Sequence, residues 1–329
     1  METVLSGIRS TGNLHLGNYF GAVTNFVRLQ EDYNCFFFVA DLHSLTTYPK
    51  PADLHANVKS VLAEYLAAGI DPERSTLYVQ SDVPEIAEFY LLLNMNAYVG
   101  ELERTTTFKE KIRNQPENVN AGLLTYPVLM AADIIIHRSH KVPVGKDQEQ
   151  NLEMTRKFAK RFNSMYGVEY FPMPEPFNFG KELLKVPGLD GQGKMGKTSG
   201  NGIYLVDEPE LIRKKVMRAV TDAGPTKPNQ KMSEPIRNLF SLMEIVSTPD
   251  TLAHFRGLYN DCTIRYGEMK KQLAEDIIRV CNPLRNRINE ILADDAFISK
   301  AVAMGREKAR ASASKTLRDV REIIGFRPF

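Results

Sequence analysis

Short runs of β-branched and aromatic residues alternate with longer helical patterns along the first 80 residues of the chain. "TVLSGI" is followed by a helical stretch to about Leu29, then by "CFFFVAD", a second helical stretch from about Pro51 to Ala68, and "TLYVQS". Strands separated by helices pair in parallel, because each helix carries the chain back to the end of the sheet where the previous strand began. The fold class is therefore α/β. From about residue 85 to about residue 165 the pattern is mostly helical, and an extended segment returns at "GIYLV", 202–206, which reads as a helical insertion within the sheet domain. After Asp207 only helical runs follow, at 208–220, 236–247, 266–281 and 284–293, with a Gly/Pro-rich break at Gly224 to Pro228. Two domains are expected, 1–206 and an all-helical 207–329, and 329 residues with 43% hydrophobic content suffice for a core of that size.

Composition mainly excludes. The longest apolar run, Cys35 to Ala40, is far short of the roughly 20 residues of a membrane helix, and the N-terminus lacks a basic-then-apolar leader pattern, so a cytoplasmic protein off the membrane is expected. Cys35, Cys262 and Cys281 are widely spaced with no C-x-x-C pair, which suits ordinary thiols in a reducing compartment. His137 and His140 stand three apart without a Cys or acidic partner at matching spacing, so they read as helix-end histidines and no metal site is expected. The net charge is only +2, but residues 301–329 hold Arg306, Lys308, Arg310, Lys315, Arg318, Arg321 and Arg327 against Glu307, Asp319 and Glu322. Such a basic helical end can track phosphates, and it is also the composition of a solvated helix face.

Residues 191–198, "GQGKMGKT", satisfy the P-loop pattern G-x-x-x-x-G-K-[ST], and their glycines also satisfy G-x-G-x-x-G. A P-loop must leave a strand and open a helix, because the loop amides and the helix N-terminus cradle the phosphates together. Here Pro187 and Gly188 precede the loop, while Gly200 and Gly202 lead into strand-like "IYLV". The flanks argue against a P-loop. What survives is chemical: a glycine-rich loop presenting Lys194 and Lys197 can follow charge on a transferring phosphoryl group. Alone, it would read first as a solvated Lys/Gly surface loop.

Upstream, Ser10 to Asn13 read as a turn after the first strand, and Leu14 begins a helix on which His15 and Asn18 share one face of the first turn. Gly17 between them lets a ring or phosphate approach the backbone. "HLGN" at 15–18 resembles the first signature of the class I aminoacyl-tRNA synthetases, and "KMGKT" at 194–198 resembles their second, in the expected order. The pair is far more specific than either half.

The middle of the chain bears on the amino acid. "GLLTYPVLMAADI" (122–134) and "VGKDQEQNLEMTRKFAKRFN" (144–163) are similar to the tryptophan members of that family, and the resemblance extends over nearly the whole chain. Pro127 suits the first turn of a helix on which Tyr126, Met130 and Asp133 share a face. Asp133 is an acceptor in an apolar segment, so it needs a donor; an indole N–H is a fitting one, and a salt bridge or cap is the structural alternative. A site built around such a bond rejects analogues lacking the group, because its own polar atom would be left unpaired. The related tyrosine enzymes are the rival reading; they typically carry Gln where this chain has Met130, and a thioether suits an indole face better than a phenol rim.

The resemblance implies further roles. Arg9, Ser10, Thr11, Gly17, Asn18, the turn Gly145, Lys146 and Asp147, the backbone at Val186, and Lys194, Met195, Gly196, Lys197 and Thr198 fall where the family binds ATP. His15, Asn18, Lys194 and Lys197 fall at its catalytic positions. Tyr126, Met130, Asp133, Gln148 and His43 fall at the amino-acid site, with Gln148 and Tyr126 holding the substrate ammonium. A Rossmann-like catalytic domain is implied, followed by a helical domain that meets the anticodon end of tRNA(Trp). ATP would act as substrate with Mg2+ bound to it, and the chain would form a homodimer. Two positions depart from the usual pattern: Gly196 replaces a serine, and Arg9 stands where glutamine is common. Neither removes the two lysines.

Overall fold

The structure, a computed structural model, describes residues 1–145, 148–177, 186–197 and 200–327, with Asn114 described by its backbone alone. Strand β1 (Thr3–Arg9) leads through a turn into α1 (Leu16–Asn18), a π-helical turn at Tyr19–Val23, and α2 (Thr24–Leu29). β2 (Asn34–Ala40), α3 (Asp41–Ser44), α4 (Pro51–Ala67) and β3 (Thr76–Val79) follow. Pro51 sits in the first turn of α4, where its missing N–H costs nothing. The insertion is α5 (Glu85–Asn94), α6 (Val99–Glu103), α7 (Thr106–Asn114) and α8 (Ala121–Ile136); then come β4 (Lys141–Val142), α9 (Glu149–Tyr166) and β5 (Glu175–Pro176). The chain continues as α10 (Pro209–Met217), α11 (Glu234–Val246), α12 (Pro249–Asn260), α13 (Tyr266–Leu292) and α14 (Asp295–Ile324).

All five strands are parallel, in the order β3-β2-β1-β4-β5. Side chains alternate across a strand, so each run feeds two cores. Val4, Cys35, Phe37, Val39, Leu77 and Val79 pack with α4 and α10–α13 in one cluster; Leu5, Phe36, Phe38, Ala40 and Tyr78 pack with α5, α8 and α9 in the other. The helices after residue 206 thus share the first cluster with the sheet. A break at 206 divides the course of the chain rather than its core.

α14 does not extend into solvent. Ile298 and Ala301 join the first cluster and Ala309, Ala313, Leu317 and Val320 the second, so the helix lies along the edge strand β3. A Cβ added at Gly305 would stand 1.7 Å from the carbonyl oxygen of Leu77, which is why glycine occupies that turn. Several of its bases are engaged: Lys308 donates to the carbonyls of Pro72 and Glu73, Arg310 to Glu85, and Arg321 to Glu88. The segment at 202–206, expected to be extended, forms no strand: Tyr204 makes an isolated bridge to His15 and a turn follows at 205–206. No helix among the described residues is long and apolar enough to cross a membrane.

Candidate active site at the switch point of the sheet

From β1 the chain winds outward to β2 and β3 in one direction, and β4 is added on the opposite side. Ligands of such sheets bind beyond the carboxyl ends of the strands where the order reverses, because the two crossovers leave a crevice there. The end of β1 supplies Arg9, Ser10, Gly12 and His15, and the end of β4 leads to Gly145. Lys146, Asp147 and Thr198 lie outside the described residues.

His15 caps α1 rather than lying within it. Its Nδ1 accepts the Asn18 backbone N–H at 3.2 Å while the Asn18 carboxamide accepts the His15 N–H at 3.2 Å, a reciprocal capping box that fixes both side chains at the helix start. Burial, with Lys197 and then Lys194 adding to it, pulls the imidazole down to about 4. The ring is neutral at pH 7 and, with Nδ1 accepting, carries its proton on Nε2. A Cβ at Gly17 would approach that ring to 2.8 Å.

The second signature is stitched to the first. Leu16 donates to Ile203 at 2.9 Å and Leu205 to Leu14 at 3.0 Å, while Met195 N–H reaches Val186 at 2.8 Å. Asn201, buried, accepts from the Gly196 amide at 2.9 Å and donates to Asp190 at 3.0 Å, folding the loop over itself. Lys197 Nζ then donates to the Gly12 carbonyl at 2.6 Å. Among the described residues no helix follows this loop before Pro209, which removes the P-loop reading.

Positive charge is crowded at this end. Burial pulls Lys197 down to about 8; Glu64 opposes this and Arg9 adds to it. Lys111, on α7, is pulled down to about 7 by burial and then by Arg9. Its Nζ sits 3.2 Å from the Tyr126 ring centroid without a hydrogen-bond partner, and Arg9 Nε and one terminal nitrogen are likewise buried without one. Ser10 Oγ meets Ser44 Oγ at 2.9 Å, and Thr11 N–H reaches Arg9 O at 2.9 Å.

At the other end, Asp133 is buried and held by protein donors. His43 Nε2 stands 2.9 Å from Oδ2, and the Gln80 amide donates to both oxygens at 2.8 and 3.0 Å. Burial pushes the carboxyl up, opposed by His43 and Gln80. The His43 ring lies edge-on to Tyr126 at 4.6 Å, and Met130 packs half-buried against the second core. Gln148 caps α9 and accepts from Asn151 at 2.9 Å. Pro127 is not in a first turn: α8 starts six residues earlier, because Asn120 accepts the Leu123 N–H and sets the helix start there.

Sequence reasoning missed Gln80, Lys111, Asn201 and Glu64. Glu64 carried a readable signal, since it is a lone carboxylate in the apolar helical stretch "VLAEYLAA", the same signal that singled out Asp133. Lys111 carried none, being one charge among several on a polar helix. Among the described residues no group of three His, Cys, Asp or Glu stands together as a metal cage. His137 bonds Tyr78 and Ser312, and His140 accepts from the Thr3 N–H.

Residues 2–282 match the family described as tRNA synthetases class I (W and Y). A tryptophan–tRNA ligase of Porphyromonas gingivalis is 65% identical over 99% of this chain and 100% of its own length; one from Clostridium tetani is 41% identical over 99% and 96%. Among solved structures, the tryptophanyl-tRNA synthetase of Campylobacter jejuni complexed with ADP and tryptophan superposes with a TM-score of 0.88 at 32% identity, covering 98% of this chain and all of that one. A tyrosyl-tRNA synthetase of Archaeoglobus fulgidus, at 17% identity and a TM-score of 0.66 over 87% of this chain and 90% of its own, shares the fold alone.

Proposed function

Because the chain belongs to the class I tRNA synthetases of the tryptophan and tyrosine family, we infer that it is a tryptophan–tRNA ligase, activating L-tryptophan with ATP and passing it to tRNA(Trp). The observation that carries the reading is the 2.6 Å bond from Lys197 to Gly12, which brings the two signatures into one site. The choice of tryptophan over tyrosine rests on the curated relatives and on Met130 beside Asp133.

The tryptophan carboxylate attacks the α-phosphorus of ATP and pyrophosphate leaves; a terminal ribose hydroxyl of the tRNA then takes the tryptophanyl group and AMP leaves. Lys194 and Lys197 follow the charge that develops on the phosphates, and the Nε2–H of neutral His15 donates to them, with Asn18 holding the ring in place. Arg9, Ser10, Thr11, Gly17, Gly145, Lys146, Asp147, Val186, Met195, Gly196 and Thr198 frame the nucleotide. Asp133 accepts the indole N–H: a carboxylate offers about four acceptor positions, so the bonds to His43 and Gln80 leave one for substrate. Gln148 and Tyr126 hold the ammonium. Mg2+ arrives on the phosphates, which agrees with a donor set rich in cations.

Residues 207–329 form the tRNA anticodon region in this reading, acting in the cytoplasm. Since Lys308, Arg310 and Arg321 already have partners, and Arg318 has Asp319 at 4.0 Å, the exposed Arg306 and Lys315 are the bases best placed for phosphates. A homodimer is supported by a cluster of exposed apolar side chains at the end of α5 and the start of α6: Leu91, Met95, Tyr98 and Val99. The test is amino-acid-dependent exchange of pyrophosphate into ATP across all twenty amino acids. Exchange with tryptophan alone is expected; exchange with tyrosine alone moves the chain to the sister activity, and none above background rejects the reading.

A further inference from the structure

Helix α4 reaches the turn between β1 and α1 with two side chains one helical turn apart. Ser60 Oγ donates to the Asn13 carboxamide oxygen at 2.6 Å, and both oxygens of Glu64 accept the Leu14 N–H at 3.0 Å. Two residues earlier in the same turn, the Gly12 carbonyl accepts Lys197 Nζ. The turn is therefore held by the signature lysine at one residue and by a fully buried carboxylate two residues on. A single backbone N–H is little compensation for burying a carboxylate of 0% exposure, which calls for an explanation other than a cap.

We propose that Glu64 is a positioning residue for adenylate formation, which anchors the Gly12–Leu14 turn that holds Lys197 and, once ionised, favours the charged form of that lysine. This rests on the tryptophan–tRNA ligase reading. Glu64 touches neither ATP nor tryptophan; it acts through the turn and through its field at Lys197.

The electrostatics agree with that geometry. Burial pushes Glu64 up to about 8, against the Leu14 N–H and the Lys197 charge; burial pulls Lys197 down to about 8, with Glu64 opposing. The two groups change charge over the same pH range and titrate as a pair. The other groups facing Lys197 are Arg9 on β1, and Lys194 and His15, both of which the lysine joins around the α1 cap; Tyr65 flanks Glu64. Arg9 and Lys194 are cations and His15 is neutral at pH 7, so Glu64 is the carboxylate among these groups that favours the ammonium. Below about pH 8 Glu64 is largely protonated and crowding is modest. Above it, the carboxylate ionises over the range in which the lysine loses its proton, so the ammonium persists to higher pH than it would beside a neutral side chain.

The experiment is pyrophosphate exchange by the whole protein, wild type against Glu64→Gln, from pH 6.5 to 9.5. Glutamine keeps the size and an acceptor for the Leu14 N–H and removes only the charge. The ratio of the two kcat/KM profiles for ATP cancels Lys111, which both proteins share. That ratio should lie within about threefold below pH 7.5 and open to about tenfold by pH 9, the alkaline limb of the variant falling at lower pH, while the KM for tryptophan stays unchanged. Parallel profiles overturn the proposal and leave the ligase reading intact; absence of tryptophan-dependent exchange in the wild type overturns the ligase reading itself. If Glu64→Gln does not fold, Glu64→Asp, with the carboxylate one methylene short, is read the same way: a KM for ATP raised several-fold at unchanged KM for tryptophan supports the role, and an unchanged KM for ATP overturns it.

Discussion

The two ends of the site are built on opposite principles. At the amino-acid end, Asp133 is fixed by His43 and Gln80, on helices and strand ends that pack in the second core. At the nucleotide end, Arg9, Lys111 and Lys197 crowd together, and two of them keep buried nitrogens without hydrogen-bond partners. Selection requires a fixed geometry, because a wrong ligand must find an unpaired polar atom rather than a wall that yields. Charge stabilisation requires the reverse, a field that is unfavourable until an anion enters it.

Substitutions should therefore separate the two ends. Lys197→Ala should lower kcat for pyrophosphate exchange by about 10²–10³-fold, the scale for losing one preorganised charge donor, with the KM for tryptophan within about twofold. A comparable rise in that KM would show the ends to be one unit. Asp133→Asn should lower kcat/KM for tryptophan by about 10–100-fold and narrow discrimination against phenylalanine, with ATP binding little changed. Unchanged discrimination removes Asp133 from recognition. Arg9→Gln should raise the KM for ATP by roughly tenfold near pH 7, the value of a hydrogen bond to a charged group. It should also move the alkaline fall of kcat/KM for ATP to higher pH, because Arg9 holds both lysines down, and a shift in the other direction breaks the account of crowding.

The smallest effect concerns stability. Lys111 falls from 10.5 to about 7 on folding, so between those values the unfolded chain binds more protons and stability rises with pH. The cost of the charged lysine is fully present below about pH 7. Lys111→Met should then raise the melting temperature by about 2 °C at pH 6, a gain that shrinks toward pH 10. Equal gains at both ends of that range would show that packing rather than charge sets the difference.

The sheet was legible because β1, β2 and β3 are long enough to show their runs and are separated by helices. β4 and β5 are two residues each and carry no periodicity, so the switch point, the feature that locates the site, could be found only in three dimensions. The two signatures were readable as motifs, and what they do to one another was not: Lys197 meets Gly12 across 185 positions of sequence. Asp133 was legible as a carboxylate that must have partners, but Gln80 and His43 come from other elements. In the C-terminal helix the basic residues drew attention to solvent, while Gly305, Ala309 and Ala313, four apart on one stripe, held the better clue. Small residues at that spacing let a helix lie close against its neighbour.

That stripe has a consequence for how the protein is made. β3 is an edge strand, and its covering is contributed by α14, where Gly305 meets Leu77 from far along the chain. During synthesis at roughly 5–20 residues per second, the first three strands can pair while the exposed ladder of β3 waits many seconds for α14 to leave the ribosome. A nascent chain halted before residue 305 would present the open outer edge of β3, a template for joining another chain. Chains truncated before residue 305 should thus yield aggregated rather than merely inactive protein.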